Sequence, residues 1–89
     1  MNGELNAREN AEKEQDVMRE KQLEALIVRI MKREGERTVP HVQLMKTIVA
    51  ELPWQGKVLF IKKRIASLIE REYIIRVENE GETGYRYCP

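Results

Sequence analysis

The stretch "YIIRVENEGETGYRYC" (residues 73–88) decides how the rest of the chain is read. "YIIRV" is β-branched and aromatic, "ENEGETG" is a polar turn, and "YRYC" alternates, so the segment predicts a β-hairpin. Immediately before it, Val58, Ile61, Ile65, Leu68 and Ile69 recur at helical spacing, with Leu59 and Phe60 near the start. That predicts a helix over residues 57–72. The "PWQG" ahead of it is turn-like, with Trp54 as a plug for the core. Leu44, Met45, Ile48, Val49 and Leu52 form an earlier helical stripe, opened by Pro40 and closed by Pro53. Residues 35–39 are a short connection in which Val39 can form a brief strand.

Further back, Leu23, Leu26, Ile27, Ile30 and Met31 fall at i, i+3, i+4, i+7 and i+8, one face of an amphipathic helix. Gly35 stands where a C-terminal cap belongs, which places this first helix at about 14–34. Residues 1–16 carry almost no large apolar side chains, so a frayed or disordered extension is expected ahead of a domain over 17–89. Helix, short strand, helix, turn, helix, hairpin is the order of a winged helix-turn-helix. The fold class expected is therefore α+β, a small winged helix of three helices with a C-terminal β-hairpin wing.

Composition narrows the function. Eighty-nine residues allow one small domain, and 16 basic against 15 acidic residues single out no partner by net charge. No apolar run approaches the ~20 residues of a membrane span, so no membrane role is expected. "MNGELNAREN" lacks the apolar segment of a signal peptide, and the expected location is the cytoplasm, with the nucleus also open. Cys88 and His41 are the only cysteine and histidine, which cannot supply a four-ligand zinc site. Cys88 reads as a reduced thiol near the chain end, and Ser67, the one serine, as helix surface. With no glycine-rich phosphate loop, acid–base pair or activated nucleophile, no cofactor, metal or catalytic role is expected.

Two binding readings remain. A winged helix suggests nucleic acid, with the third helix in the major groove and the wing on the backbone. Lys57, Lys62, Lys63 and Arg64 would make the phosphate contacts. Between Thr38 and Arg76 seven basic residues face three acidic ones. Against this, the wing turn carries Glu78, Glu80 and Glu82, and the third helix has no Asn or Gln to read adenine.

The other reading starts at "ALIVRIMKREGERTVP" (residues 25–40). At about 100° per residue, with Leu23 at zero, Ile27 lies near 40°, Ile30 near −20°, and Lys32 near 180°. Lys32 thus points away from the core stripe, in the last turn before Gly35. Lys32 and Arg33 there complement the helix dipole, worth about 0.3–1 kcal/mol. Physics alone gives Lys32 no claim over the other six lysines. It leaves the amine exposed, terminal and beside a flexible glycine.

"ALIVRIMKREGERT", "IKKRIASLIEREYIIRV" and "GYRYC" together resemble the C-terminal winged-helix domain of cullins, the scaffolds of multisubunit ubiquitin ligases. The resemblance runs from about Leu23 to Tyr87. It implies that Lys32, which closes "IVRIMK", accepts the ubiquitin-like neddylation modifier through an isopeptide bond. The implied partners are the modifier, its conjugating enzyme and the RING subunit of the ligase. The domain would be the substrate rather than the catalyst, and its modification would regulate ligase activity. Val28, one turn before Lys32 on the same side, reads either as an exposed valine or as a contact for that machinery. Arg29 and Arg33 flank the lysine and could pair with acidic partner surfaces or remain solvated. Two departures stand out. The family's "KMRK"-like segment is "KREGER" here, and the ending "YRYCP" suggests an atypical, larger cullin of the Parkin-like cytoplasmic kind that continues past this module.

Overall fold

The computed structural model describes residues 3–89, with side chains over 15–89. The chain forms α1 (Gly3–Glu34), β1 (Val39–Pro40), α2 (His41–Glu51), α3 (Val58–Glu70), β2 (Ile74–Asn79) and β3 (Glu82–Tyr87). Helix α1 begins earlier than the expected residue 14, because nothing between Glu4 and Glu34 interrupts a helix: the segment contains no Gly or Pro. The expected fraying of residues 1–16 falls almost wholly on residues 1–14, which lie outside those whose side chains are described.

The three strands form one antiparallel sheet in the order β1-β3-β2. Glu80 and Gly81 both have positive φ, 52° and 82°, the pattern of a two-residue type I′ hairpin turn. Strand β1 pairs Val39 with Tyr85 and Pro40 with Gly84. A Cβ on Gly84 would meet Thr38 Cγ2 at 2.8 Å and the Val39 carbonyl at 3.1 Å. Glycine at this position is what lets β1 close onto the wing.

One core joins all the elements. Leu23, Leu26, Ile27, Ile30 and Met31 of α1 meet Leu44 and Ile48 of α2 and Ile61, Ile65 and Leu68 of α3. Val39, Leu52, Ile74 and Tyr85 complete it. Each fully buried large side chain contributes about 1.5–3 kcal/mol of transfer free energy. Two apolar residues expected inside are not: Val49 and Val58 remain 59% and 56% exposed. The 11-residue α2 buries only the row through Leu44 and Ile48, and Val58 is the first residue of α3. Trp54 is half-buried at the margin rather than a central plug. Its Nε1 donates to Gln22 Oε1 at 2.9 Å, and the Arg19 guanidinium lies 5.4 Å from its ring centre.

Gly35 ends α1 with φ 66° and donates its N–H to the Lys32 carbonyl at 3.1 Å. Nothing lies within 4 Å of where a Cβ would stand, so the glycine is required by backbone conformation alone. Gly35→Ala is therefore expected to lower stability by about 1 kcal/mol through left-handed strain. Urea unfolding followed by Trp54 fluorescence measures it, and an unchanged midpoint would contradict the cap.

Candidate functional site

Lys32 is exposed in the last turn of α1, where its position opposite the core stripe puts it. It lines a groove of about 490 Å³ between α1 and the chain leaving α3. Ala25, Val28, Leu68 and the Tyr73 ring give the groove an apolar floor, and Lys21, Arg29, Lys32 and Arg71 stand around it. Val28 is thus half-buried and packed against the core, not an exposed valine. Its neighbours Leu68 and Tyr73 come from the far end of the chain and fill the space beside it.

Of the residues singled out at and around Lys32, Val28, Arg29 and Lys32 come together in this groove. Arg33 does not. It reaches across to α2 and donates twice to Glu51, Nη1 to Oε1 at 3.2 Å and Nη2 to Oε2 at 2.6 Å. That bidentate geometry makes Arg33 a strap between the ends of α1 and α2 rather than a free cation. The Arg33 hydrogen bonds hold the Glu51 carboxyl below its ordinary range. A carboxyl with a depressed folded-state pKa contributes stability above its unfolded value, about 4.3, and loses it as pH falls through the folded value. Glu51→Gln should therefore lower stability slightly at neutral pH and flatten the acid limb of the stability–pH curve below about pH 4.3 by the same small amount, because an exposed pair contributes little. Chemical denaturation at pH 7 and pH 3 checks this; an acid limb of equal slope in both proteins would contradict the strap.

A second ion-pair cluster ties α1 to α3 under the groove. Glu24 accepts from Arg64 Nη1 at 3.0 Å and from Arg71 Nη2 at 2.5 Å, and Arg64 also lies 3.5 Å from Glu20. Arg71 in turn covers the Tyr73 ring at 5.5 Å. The hydrogen bond to Glu24 raises the Arg71 pKa above its ordinary value.

This arrangement removes Arg64 from the basic patch expected on α3. Its side chain is 20% exposed and points to the carboxylates of α1. The other three cations diverge. Lys57 lies beside Trp54 at the start of α3, Lys62 lines the cleft between α3 and the wing, and Lys63 is exposed. The wing-turn glutamates Glu78, Glu80 and Glu82 are exposed, with Glu78 accepting from Arg76 at 2.8 Å and from Thr83 at 3.0 Å. His41 is hydrogen-bonded through Nδ1 to the Tyr85 hydroxyl at 2.8 Å, and the Cys88 backbone N–H donates to the Tyr73 carbonyl. Among the described residues no three His, Cys, Asp or Glu side chains converge as a metal site, and no helix is long and apolar enough to cross a membrane.

The groove residues that sequence reasoning missed are Lys21, Glu24, Ala25, Leu68, Arg71 and Tyr73. Lys21, Ala25, Val28 and Lys32 share one helical face at i, i+4, i+7 and i+11, so that half had a signal. Arg71 and Tyr73 had none, because only the turn after α3 brings them to α1.

Three helices with a three-stranded antiparallel wing define a winged-helix domain, here with an exposed lysine at the end of its first helix. The profile of the cullin protein neddylation domain matches residues 18–80, and the chain belongs to the cullin family through that domain. Cullin-1 of Caenorhabditis elegans is 40% identical over 81 residues, covering 89% of this chain and 10% of that protein. Cell division control protein 53 of Saccharomyces cerevisiae is 38% identical over 89 residues, covering 98% of this chain and 10% of that protein. The chain thus spans about a tenth of the length of these curated relatives. A solved structure of a Dcn1–Cdc53 winged-helix complex, described in terms of Rub1 ligation to Cdc53, superposes with a TM-score of 0.79 at 38% identity. That match covers 92% of this chain and 93% of the other.

Proposed function

We propose that this domain is the acceptor of a ubiquitin-like modifier of the Nedd8/Rub1 type, at Lys32, within a cullin-type ubiquitin ligase scaffold. One observation carries the reading: in a chain of the neddylation-domain family, the lysine closing "IVRIMK" stands exposed at the end of α1. The chemistry needs little from the domain itself. The conjugating enzyme carries the modifier's C-terminal glycine as a thioester. The Lys32 ammonium first loses a proton to water; its nitrogen then attacks the thioester carbonyl, the N–C bond forms, the C–S bond breaks with the thiolate leaving, and the nitrogen gives up a second proton to solvent to leave the neutral amide. The domain supplies position: α1 is fixed by its core stripe and by the Arg33–Glu51 and Glu24–Arg64–Arg71 pairs. The RING subunit orients the conjugating enzyme, and the attached modifier regulates the ligase of which this domain is a part.

The nucleic-acid reading has less behind it, because Arg64 is paired with Glu20 and Glu24 and Lys57, Lys62 and Lys63 lie on separate surfaces. Incubating the chain with purified modifier, its activating and conjugating enzymes and the RING subunit tests the acceptor reading. One conjugate, heavier by one modifier, is expected; an unmodified chain after complete thioester loading of the conjugating enzyme would overturn it.

A further inference from the structure

We propose that the cleft between α3 and the wing binds a phosphate monoester carried on an aromatic or aliphatic group. The cleft holds about 350 Å³, a volume that takes a small ligand, and shares no lining residue with the groove beside Lys32. Its occupation is therefore independent of the acceptor chemistry. One wall is polar: Lys62 of α3, Arg76 of β2, Tyr85 of β3 and His41 at the start of α2. The other is apolar, formed by Ile65, Ala66 and Ile69 of α3.

Charge and donors select the ligand. Lys62 and Arg76 bring two positive charges, and no carboxylate lines the cleft. Glu78 stands beside it, but its carboxylate accepts from Arg76 Nε at 2.8 Å and from the Thr83 hydroxyl at 3.0 Å. That pair uses only Nε. The two terminal nitrogens of Arg76 donate to no group among the described residues and can take two oxygens of one phosphate. His41 Nδ1 and the Tyr85 hydroxyl share one hydrogen bond at 2.8 Å. If the hydroxyl donates, Nε2 carries the ring proton; if Nδ1 donates, the hydroxyl proton is released. Either way the pair keeps one donor that this bond does not consume. Burial pushes the Tyr85 hydroxyl pKa up, so the hydroxyl keeps its proton at neutral pH.

An ammonium, a guanidinium fork and a neutral donor thus come to one cleft from separate elements. A phosphate monoester brings about −1.5 to −2 charge and three acceptor oxygens, where a carboxylate brings one charge and two oxygens. The wall of Ile65, Ala66 and Ile69 suits the carbon group of the ester. A nucleic-acid backbone carries one charge per phosphate and needs a continuous basic track, whereas Lys57 and Lys63 lie outside the cleft.

His41 is the only histidine, so its imidazole NMR signals report on this cleft without overlap. Titration with phenyl phosphate at fixed pH is expected to shift them saturably, with a Kd at least about tenfold below that for benzoate. Lys62→Gln/Arg76→Gln should raise the Kd at least about tenfold. Both side chains are exposed, thermal melting checks the fold, and Lys62→Gln alone keeps the test valid if the double variant does not fold. Lys57→Gln/Lys63→Gln removes the same charge outside the cleft and should leave the Kd unchanged. A phosphotyrosine flanked by glycines that binds more tightly than phenyl phosphate would support a phosphorylated protein as the source, and equal affinity a free ester. No saturable shift, equal binding of benzoate, equal weakening in the distant variant, or stronger shifts from a short DNA duplex would each overturn the proposal.

Discussion

Lys32→Arg is expected to abolish conjugation, with a loss of at least about a hundredfold in rate, while stability stays within about 0.5 kcal/mol. Arginine keeps the positive charge that complements the C-terminal end of α1 and the charge lining the groove. It is a good helix former and points to solvent at this position, so packing does not change. What it lacks is an amine that can be deprotonated: guanidinium stays protonated in proteins and offers no free electron pair to the thioester. The substitution therefore separates chemistry from structure. Six other lysines remain as controls for promiscuous transfer. Conjugation of the arginine variant at the parental rate would show that the acceptor lies elsewhere.

Ile27→Ala should give the largest loss of stability, about 2–5 kcal/mol. Ile27 has no exposed surface and sits mid-stripe on α1 among residues from α2, α3 and the wing. Truncation removes three methyl or methylene groups and leaves a cavity that a core this small cannot close from one side. An 89-residue domain holds roughly 4–13 kcal/mol in total, so the loss is a large share of it and leaves the variant marginal at the lower end of that range. Urea denaturation read from Trp54 gives the number, with the slope expected to stay near the parental value. The consequence for function is indirect: α1 carries Lys32, and loosening its seat blurs the position of the amine. A loss below about 1 kcal/mol would mean that α1 is held chiefly by its ion pairs and not by the core.

Much of this architecture was legible because its signals are local. The 3.6-residue stripe of α1, the Pro and Gly boundaries and the alternating hairpin each specify one element, and all three survive in the fold. The direction of Lys32 followed from the same stripe. Side-chain partnerships across elements were not legible. Arg33 and Glu51 lie 18 positions apart, and Arg64 and Glu24 lie 40 apart. A run of cations such as Lys62–Lys63–Arg64 looks uniform in sequence, yet 100° per residue sends its third member toward α1. The groove is the clearest case. Its α1 wall was readable from helical spacing, but Tyr73 and Arg71 reach it only through the turn that ends α3, where Glu72 adopts φ 65° and the Tyr73 N–H bonds back to the Leu68 carbonyl at 2.9 Å.

The most direct test of the account is to locate the adduct. After reconstituted conjugation, proteolysis and tandem mass spectrometry identify which lysine carries the modifier's C-terminal remnant. If Lys32 is the acceptor as proposed, a single branched peptide at Lys32 is expected, with the other six lysines unmodified. Remnants spread over several lysines, or a principal site on α3, would contradict the assignment of Lys32 as the acceptor.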